Sequence, residues 1–261
     1  MLILFTISLK VDNMGKIVAI GGGEIGRPRY PVETTEINKE IINLSGKTNP
    51  NLLHIPTAQN DSNEDYKTVK NHFEGLGCNI NVLNLIRKKL TNECIKEKIR
   101  SSDIIYVSGG NTLKMMTLWR KYGVDKLLME AYNNGTVLSG VSAGSICWFR
   151  QGNSDSRKFT SGSDQLIKVT GMGLIKALHC PHYDVELSRQ TYLKQMMKKT
   201  PGVAIAIDDC CAIKFVDGKY QVVASKPGAN AYKIYWNRGT YHEKIIPKSN
   251  YFNSIEELLK K

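Results

Sequence analysis

Apolar residues fall along the chain in two alternating rhythms. Short, mostly apolar runs at Lys16–Ile20 and Leu52–Ile55 read as strands, those at Ile104–Val107 and Val137–Val141 as buried strands, and Ile80–Leu85 alternates as a strand does. Between them, apolar positions recur three and four apart. Ile37, Ile41 and Leu44 mark a helix over Thr35–Leu44 that closes at Gly46. Tyr66, Val69 and Phe73 mark another over Ser62–Leu76, opened by a Ser62-x-x-Asp65 cap and ended at Gly77. Helices over Thr112–Trp119 and Val124–Tyr132 follow. This β-α-β-α order predicts an α/β fold: a three-layer sandwich with a mostly parallel sheet and helices on both faces. After about residue 203 the rhythm changes. Val203–Ile207, Ala212–Val216, Tyr220–Ala224 and Ala231–Tyr235 read as strands on short turns, an antiparallel C-terminal extension of the same sheet. No Pro- or Ser-rich linker and no repeat interrupts residues 14–261, so they are expected to form a single domain.

Composition narrows the class. The chain has 261 residues, 41% hydrophobic and 23% charged, which excludes disorder, collagen and coiled coil for the whole chain. It is long enough to bury a core without disulfides or metals, and no apolar run reaches the roughly 18 residues of a membrane helix. The net charge is +12, but the basic residues are scattered and their short clusters, such as Arg87-Lys88-Lys89, carry no interleaved aromatics. The charge therefore reads as solvated surface, with neither nucleic acid nor membrane as partner. Six cysteines form no C-x-x-C pair and are expected to be reduced thiols in a cytoplasmic protein. Met1–Leu9 is apolar, yet it lacks the basic start and small-residue cleavage site of a signal peptide. Residues 1–13 are read as an extension outside the core, with a cleaved signal as the competing reading.

Two glycine motifs follow strands. Gly21-Gly22-Gly23-Glu24-Ile25-Gly26 matches G-x-G-x-x-G, but Pro28 and Pro31 resist the helix a dinucleotide site needs, and no acid ends the next strand. A tight loop at the carboxyl edge of the sheet is the expected role. Gly140-Val141-Ser142-Ala143-Gly144 is G-x-S-x-G between an apolar strand and the helix-compatible run Ala143–Phe149, the strand–turn–helix setting of a nucleophile elbow. A serine there needs a base. Five histidines are available: His54 in a strand, His72 in a helix, His179 and His182 around Cys180-Pro181, and His242 near the end. The residues alone do not choose among them.

Three blocks in order, Ser108-Gly109-Gly110-Asn111-Thr112, Gly140–Gly144 and Cys180-Pro181-His182-Tyr183, resemble the peptidase E (aspartyl dipeptidase) family of serine peptidases, with cyanophycinase as a relative. The resemblance covers most of the chain from Met14. It implies a fold like class I glutamine amidotransferases with serine in place of the elbow cysteine. It also implies Ser142 as nucleophile, His182 as base, Asp209 as the third member, and the N–H groups of Gly110 and Ala143 as oxyanion hole. Asp209 stands where the family usually has Glu, with Asp208 as fallback. Asp155 competes for the same role, because Ser142…Asp155…His182 is the chain order of α/β-hydrolases. Asp155 is otherwise read as a partner for a substrate ammonium, and Arg189 as one for a carboxylate. The resemblance implies a small peptide as substrate, with Asp as its first residue, and no metal or cofactor; a monomer or homodimer is expected. A cyanophycinase- or esterase-like hydrolase, or a non-catalytic module on the same fold, are the rival readings.

Overall fold

The computed structural model describes residues 15–261, and the extension expected at residues 1–13 lies outside the described residues. The chain builds two sheets. β1 (Lys16–Ile20), β2 (Asn51–Ile55), β3 (Asn79–Val82), β4 (Ile104–Val107) and β5 (Val137–Val141) form the parallel centre of the first, in spatial order β1-β5-β4-β2-β3. β6 (Phe149–Ser154), β7 (Ile167–Thr170), β8 (Ile175–Cys180) and β9 (Ala204–Ile207) leave it for the second sheet. β10 (Cys211–Val216) returns antiparallel to β1, followed by β11 (Lys219–Ala224). β12 (Ala231–Asn237) and β13 (Thr240–Ile245) rejoin the second sheet, and β14 (Asn253–Ser254) edges the first.

The α/β class is as the rhythm predicts; the C-terminal strands are not all one extension. β10 and β11 do extend the first sheet, whereas β9 and β12 pair with each other in the second. The cause is visible in β9. Ile205 and Ile207 point into the large core shared by the two sheets, while Ala204 and Ala206 face Leu193 and Met197 of a helix on the far side. A strand with two apolar faces can be buried between any two layers, so its pattern does not say which sheet holds it.

Helices α1 (Thr35–Ser45) and α2 (Asn63–Gly75) cover one face of the first sheet, where Ile37, Ile41, Val69 and Phe73 meet Val18 and Ile20. α3 (Asn92–Arg100), α4 (Thr112–Tyr122) and α5 (Val124–Asn133) cover the other, bringing Ile99, Trp119 and Leu128 to Ile17 and Ala19. The helix expected over Ala143–Phe149 is only α6 (Ala143–Ile146), because Phe149 already begins β6. α7 (Ser156–Ser161), α8 (Leu187–Lys198) and α9 (Ile255–Leu259) complete the chain; α8 is the helix over β9. Among the described residues no helix is long and apolar enough to cross a membrane. The carboxyl ends of β1, β4 and β5 open on one edge, and the β9–β10 crossing from the second sheet to the first arrives at the same edge.

Candidate active site

At the end of β5 the backbone turns sharply. Ser142 has φ 56° and ψ −114°, a conformation costing an L residue about 1–3 kcal/mol that surrounding contacts must hold. The glycines on either side explain how the turn closes. A Cβ on Gly140 would overlap the Gly144 carbonyl, and one on Gly144 would overlap the Val107 carbonyl of β4. The Ser142 N–H donates to Ile20 O at 3.2 Å, and the Ser142 carbonyl accepts from the backbone N–H groups of Ser145 and Ile146 at 3.0 and 2.9 Å.

A second brace comes from the other sheet. Ser145 Oγ lies 2.8 Å from both Ser142 O and His179 Nε2, and His179 Nδ1 lies 2.9 Å from Ile205 O. His179 is fully buried, and that burial holds its imidazole down to about 3. The sequence does not single out Ser145 or His179 as site residues. The one signal is the closeness of His179 to His182.

His182, itself at φ 53°, follows β8, and its Nδ1 lies 2.7 Å from Asp209 Oδ1. Asp209 sits in the crossing from β9 to β10. There its backbone bridges to Gly22, the Cys210 N–H donates to Gly22 O at 3.0 Å, and the Asp209 N–H donates to Asp184 Oδ1 at 2.9 Å. The pair leaves no room for a side chain at position 22, because a Cβ on Gly22 would overlap both Asp209 Oδ1 and His182 Nδ1. The glycine-rich loop after β1 is a seat for this pair and not a phosphate cradle.

The competing acids lie elsewhere. Asp208 turns away, its Oδ2 accepting from the Asn230 N–H and the Tyr232 hydroxyl at 2.8 and 3.1 Å, and burial raises its carboxyl. Asp155 lies 4.0 Å from Arg189 Nη2. Arg189 is 1% exposed, with Nε on Glu186 Oε2 at 2.6 Å and Nη1 on Asn153 O at 3.0 Å. A guanidinium so placed is not on the cavity wall, so the expected direct contact of Arg189 with a substrate carboxylate does not fit. It holds Asp155 and Glu186 from behind.

Ser142, His182, Asp209, Asp155 and Gly110 all line one cavity of about 470 Å³ at the carboxyl edge of the first sheet. Within it, Ser142 and His182 face the same space without a direct hydrogen bond, an arrangement common before substrate binds. Gly109 and Gly110 run beside Ser142: a Cβ on Gly109 would lie 3.2 Å from Ser142 Cβ, and Gly110 has φ 120° against the Ala58 carbonyl. As the first residue of α6, Ala143 has an N–H with no partner inside the helix. The Ser108 hydroxyl, also on the wall, lies 2.7 Å from Asp65 Oδ2 and 2.7 Å from His54 Nε2, a cluster that spacing alone does not show. Burial lifts the Cys78 and Cys210 thiols to about 11 and those of Cys180 and Cys211 to about 12, so these four hold their protons at neutral pH. Among the described residues no three His, Cys, Asp or Glu side chains gather as a metal site would.

Comparison with known proteins agrees with this architecture. The chain is 34% identical over 223 residues to the uncharacterized peptidase YgaJ of Bacillus subtilis (strain 168), covering 85% of this chain and 92% of that one. A peptidase from an acI-B1 Actinobacterium superposes with a TM-score of 0.69 at 20% identity, over 92% of this chain and 97% of the other. A candidate peptidase E protein from Listeria monocytogenes EGD-e gives a TM-score of 0.62 at 19% identity, over 81% and 98%. Those two likenesses are of fold. The model of Peptidase family S51 matches residues 17–223, and with most of its length so covered the chain belongs to peptidase family S51.

Proposed function

We propose that the protein is a serine-type peptidase acting on small peptides, with Ser142 as nucleophile, His182 as base and Asp209 as the residue that orients it. The observation that supports this most is the strained Ser142 elbow and the 2.7 Å His182–Asp209 contact facing one cavity. Asp209 accepts a hydrogen bond from His182 Nδ1–H, which leaves Nε2 with the lone pair a base needs. The Ser142 proton passes to Nε2 as Oγ bonds to the peptide carbonyl carbon. The oxyanion is met by the N–H groups of Gly110 and Ala143. The C–N bond then breaks as His182 returns the proton to the leaving amine. Water, deprotonated by the same nitrogen, releases the acyl group from Ser142. A cavity of about 470 Å³ suits a short peptide and not a folded chain. Arg189 acts as a positioning residue for Asp155 and Glu186. The six free thiols are compatible with a cytoplasmic setting.

The test is a panel of dipeptides scored for hydrolysis by wild type and by Ser142→Ala. Wild-type cleavage of at least one, lost in the variant, is the expected result. A folded Ser142→Ala that cleaves like wild type removes the assignment. Hydrolysis of small esters alone would favour the esterase-like reading.

A further inference from the structure

The charge on the cavity wall runs against that of the chain. Lys and Arg number 36 against 24 Asp and Glu in the whole sequence. Yet Glu24, Glu33, Asp65, Asp155, Glu186 and Asp209 face the cavity, and among the described residues Arg27 is the one Lys or Arg that does. Most of these acids already have a partner. Arg27 holds Glu24, Lys226 holds Glu33, and His182 lies on Asp209. Asp155 and Glu186 share Arg189, which leaves one negative charge in surplus between them. Asp65 differs. Among the described residues no Lys or Arg pairs with it; its contacts are the Ser108 hydroxyl at 2.7 Å and His54 Nε2 at 3.2 Å.

A carboxylate can only accept, so the donors run from His54 Nε2–H to Ser108 Oγ and from the Ser108 O–H to Asp65 Oδ2. This fixes the carboxylate in place. The side chain is 20% exposed and turned to the cavity. Ser108 directly precedes Gly109, whose backbone lies against Ser142. In a peptide with a free N-terminus, the ammonium is two bonds from the first carbonyl carbon, so an anchor for it must line the same cavity as Ser142, as Asp65 does.

We propose that Asp65, held by Ser108 and His54, takes the N-terminal ammonium of the substrate, and that the enzyme removes a neutral or basic first residue in preference to an acidic one. This rests on the serine-peptidase reading and departs from the N-terminal Asp that the family resemblance implies. A carboxylate that no Lys or Arg pairs with among the described residues, facing a cavity walled by protein, concentrates cations there. The surplus charge of Asp155 and Glu186 repels a side-chain carboxylate placed on the same wall. Arg27, the one Lys or Arg on this wall among the described residues, is held by Glu24 at both Nε and Nη2.

The experiment compares hydrolysis of Ala-, Lys- and Asp-4-nitroanilide and of N-acetyl-Ala-4-nitroanilide by the full chain. Fluorophosphonate labelling of the wild type serves as a separate check on the serine. The Ala and Lys substrates are expected to exceed the Asp and N-acetyl ones by at least roughly 10-fold in kcat/KM. In Asp65→Asn the ratio of free-amine to N-acetyl cleavage should fall by roughly 10- to 100-fold. The proposal is overturned if wild type prefers the Asp substrate, cleaves the N-acetyl substrate equally well, or cleaves none of the four while still labelling. An unchanged ratio in a folded Asp65→Asn overturns it too. The wild-type comparisons stand even if that variant does not fold. Failure to label removes the serine-peptidase reading, and the proposal with it; labelling without dependence on the ammonium removes the proposal alone.

Discussion

Two histidine–carboxylate sets meet one cavity, and they are arranged in opposite order. In the first, His182 and Asp209 are both partly exposed, at 21% and 25%, and joined through Nδ1. In the second, His54 is fully buried in β2 of the first sheet, and Ser108 and Asp65 stand between it and the cavity. Backbone strain marks the first set and not the second: Ser142, His182 and Cys210 all have positive φ around it. Which member faces solvent decides what each set can do. A reachable imidazole oriented from one side can move a proton. A buried imidazole cannot reach substrate, but it can fix a carboxylate that does. On the proposed reading, identical residue types give a base in one place and an anchor in the other.

Removing the two histidines should break this symmetry most sharply. His182→Ala is expected to lower kcat by roughly 10³-fold or more with thermal unfolding little changed. His54→Ala should instead destabilise the fold by about 1–3 kcal/mol, leaving Ser108 Oγ without its buried donor. Steady-state kinetics beside thermal melts of both variants check this; equal kinetic losses would erase the distinction. Next in size is Gly22→Ala. The added methyl group must push Asp209 and His182 apart, which should cost roughly 10²-fold in kcat/KM. A variant as active as wild type would mean the pair does not need its seat.

Ser108→Ala removes one neutral donor from Asp65 and should raise KM for free-amine substrates by roughly 2- to 10-fold while sparing kcat. A loss confined to kcat would put Ser108 in the chemistry itself. The smallest effect on turnover concerns His179, whose burial acts on stability. Its folded value of about 3 lies below an unfolded value near 6.5, so the unfolded chain takes up the proton first as pH falls. Its contribution is complete above about pH 6.5, is lost progressively down to about pH 3, and changes no further below that. Urea midpoints at pH 7, 5 and 4 for wild type and His179→Gln should converge as pH falls; parallel lines would show that His179 protonates freely in the fold.

Much of the site is legible in the sequence because its parts are local. Gly140 and Gly144 announce the elbow, since each must let a backbone pass where any side chain would collide. His182 and Asp209 are separated by a helix and a strand, and only the family resemblance joins them before the structure does. Asp65 is the opposite case. In the first turn of α2 it reads as an ordinary acid at a helix N-terminus, and its partner Ser108 is 43 residues away. Arg189 misleads for a related reason: a guanidinium at a helix start looks exposed until β6 and the Glu186 carboxylate are seen to enclose it. The second sheet is hidden because Phe149-Arg150-Gln151-Gly152-Asn153-Ser154 has no apolar alternation, though it pairs on both sides.

The most direct test of the central claim is to locate the fluorophosphonate adduct by mass spectrometry, because Ser142 and Ser108 both border the cavity and each lies near a histidine and an acid. The account predicts the phosphonyl group on the peptide carrying Ser142, with its formation lost in His182→Ala and retained in His54→Ala. An adduct on Ser108, or one on Ser142 that forms as fast without His182, would contradict it.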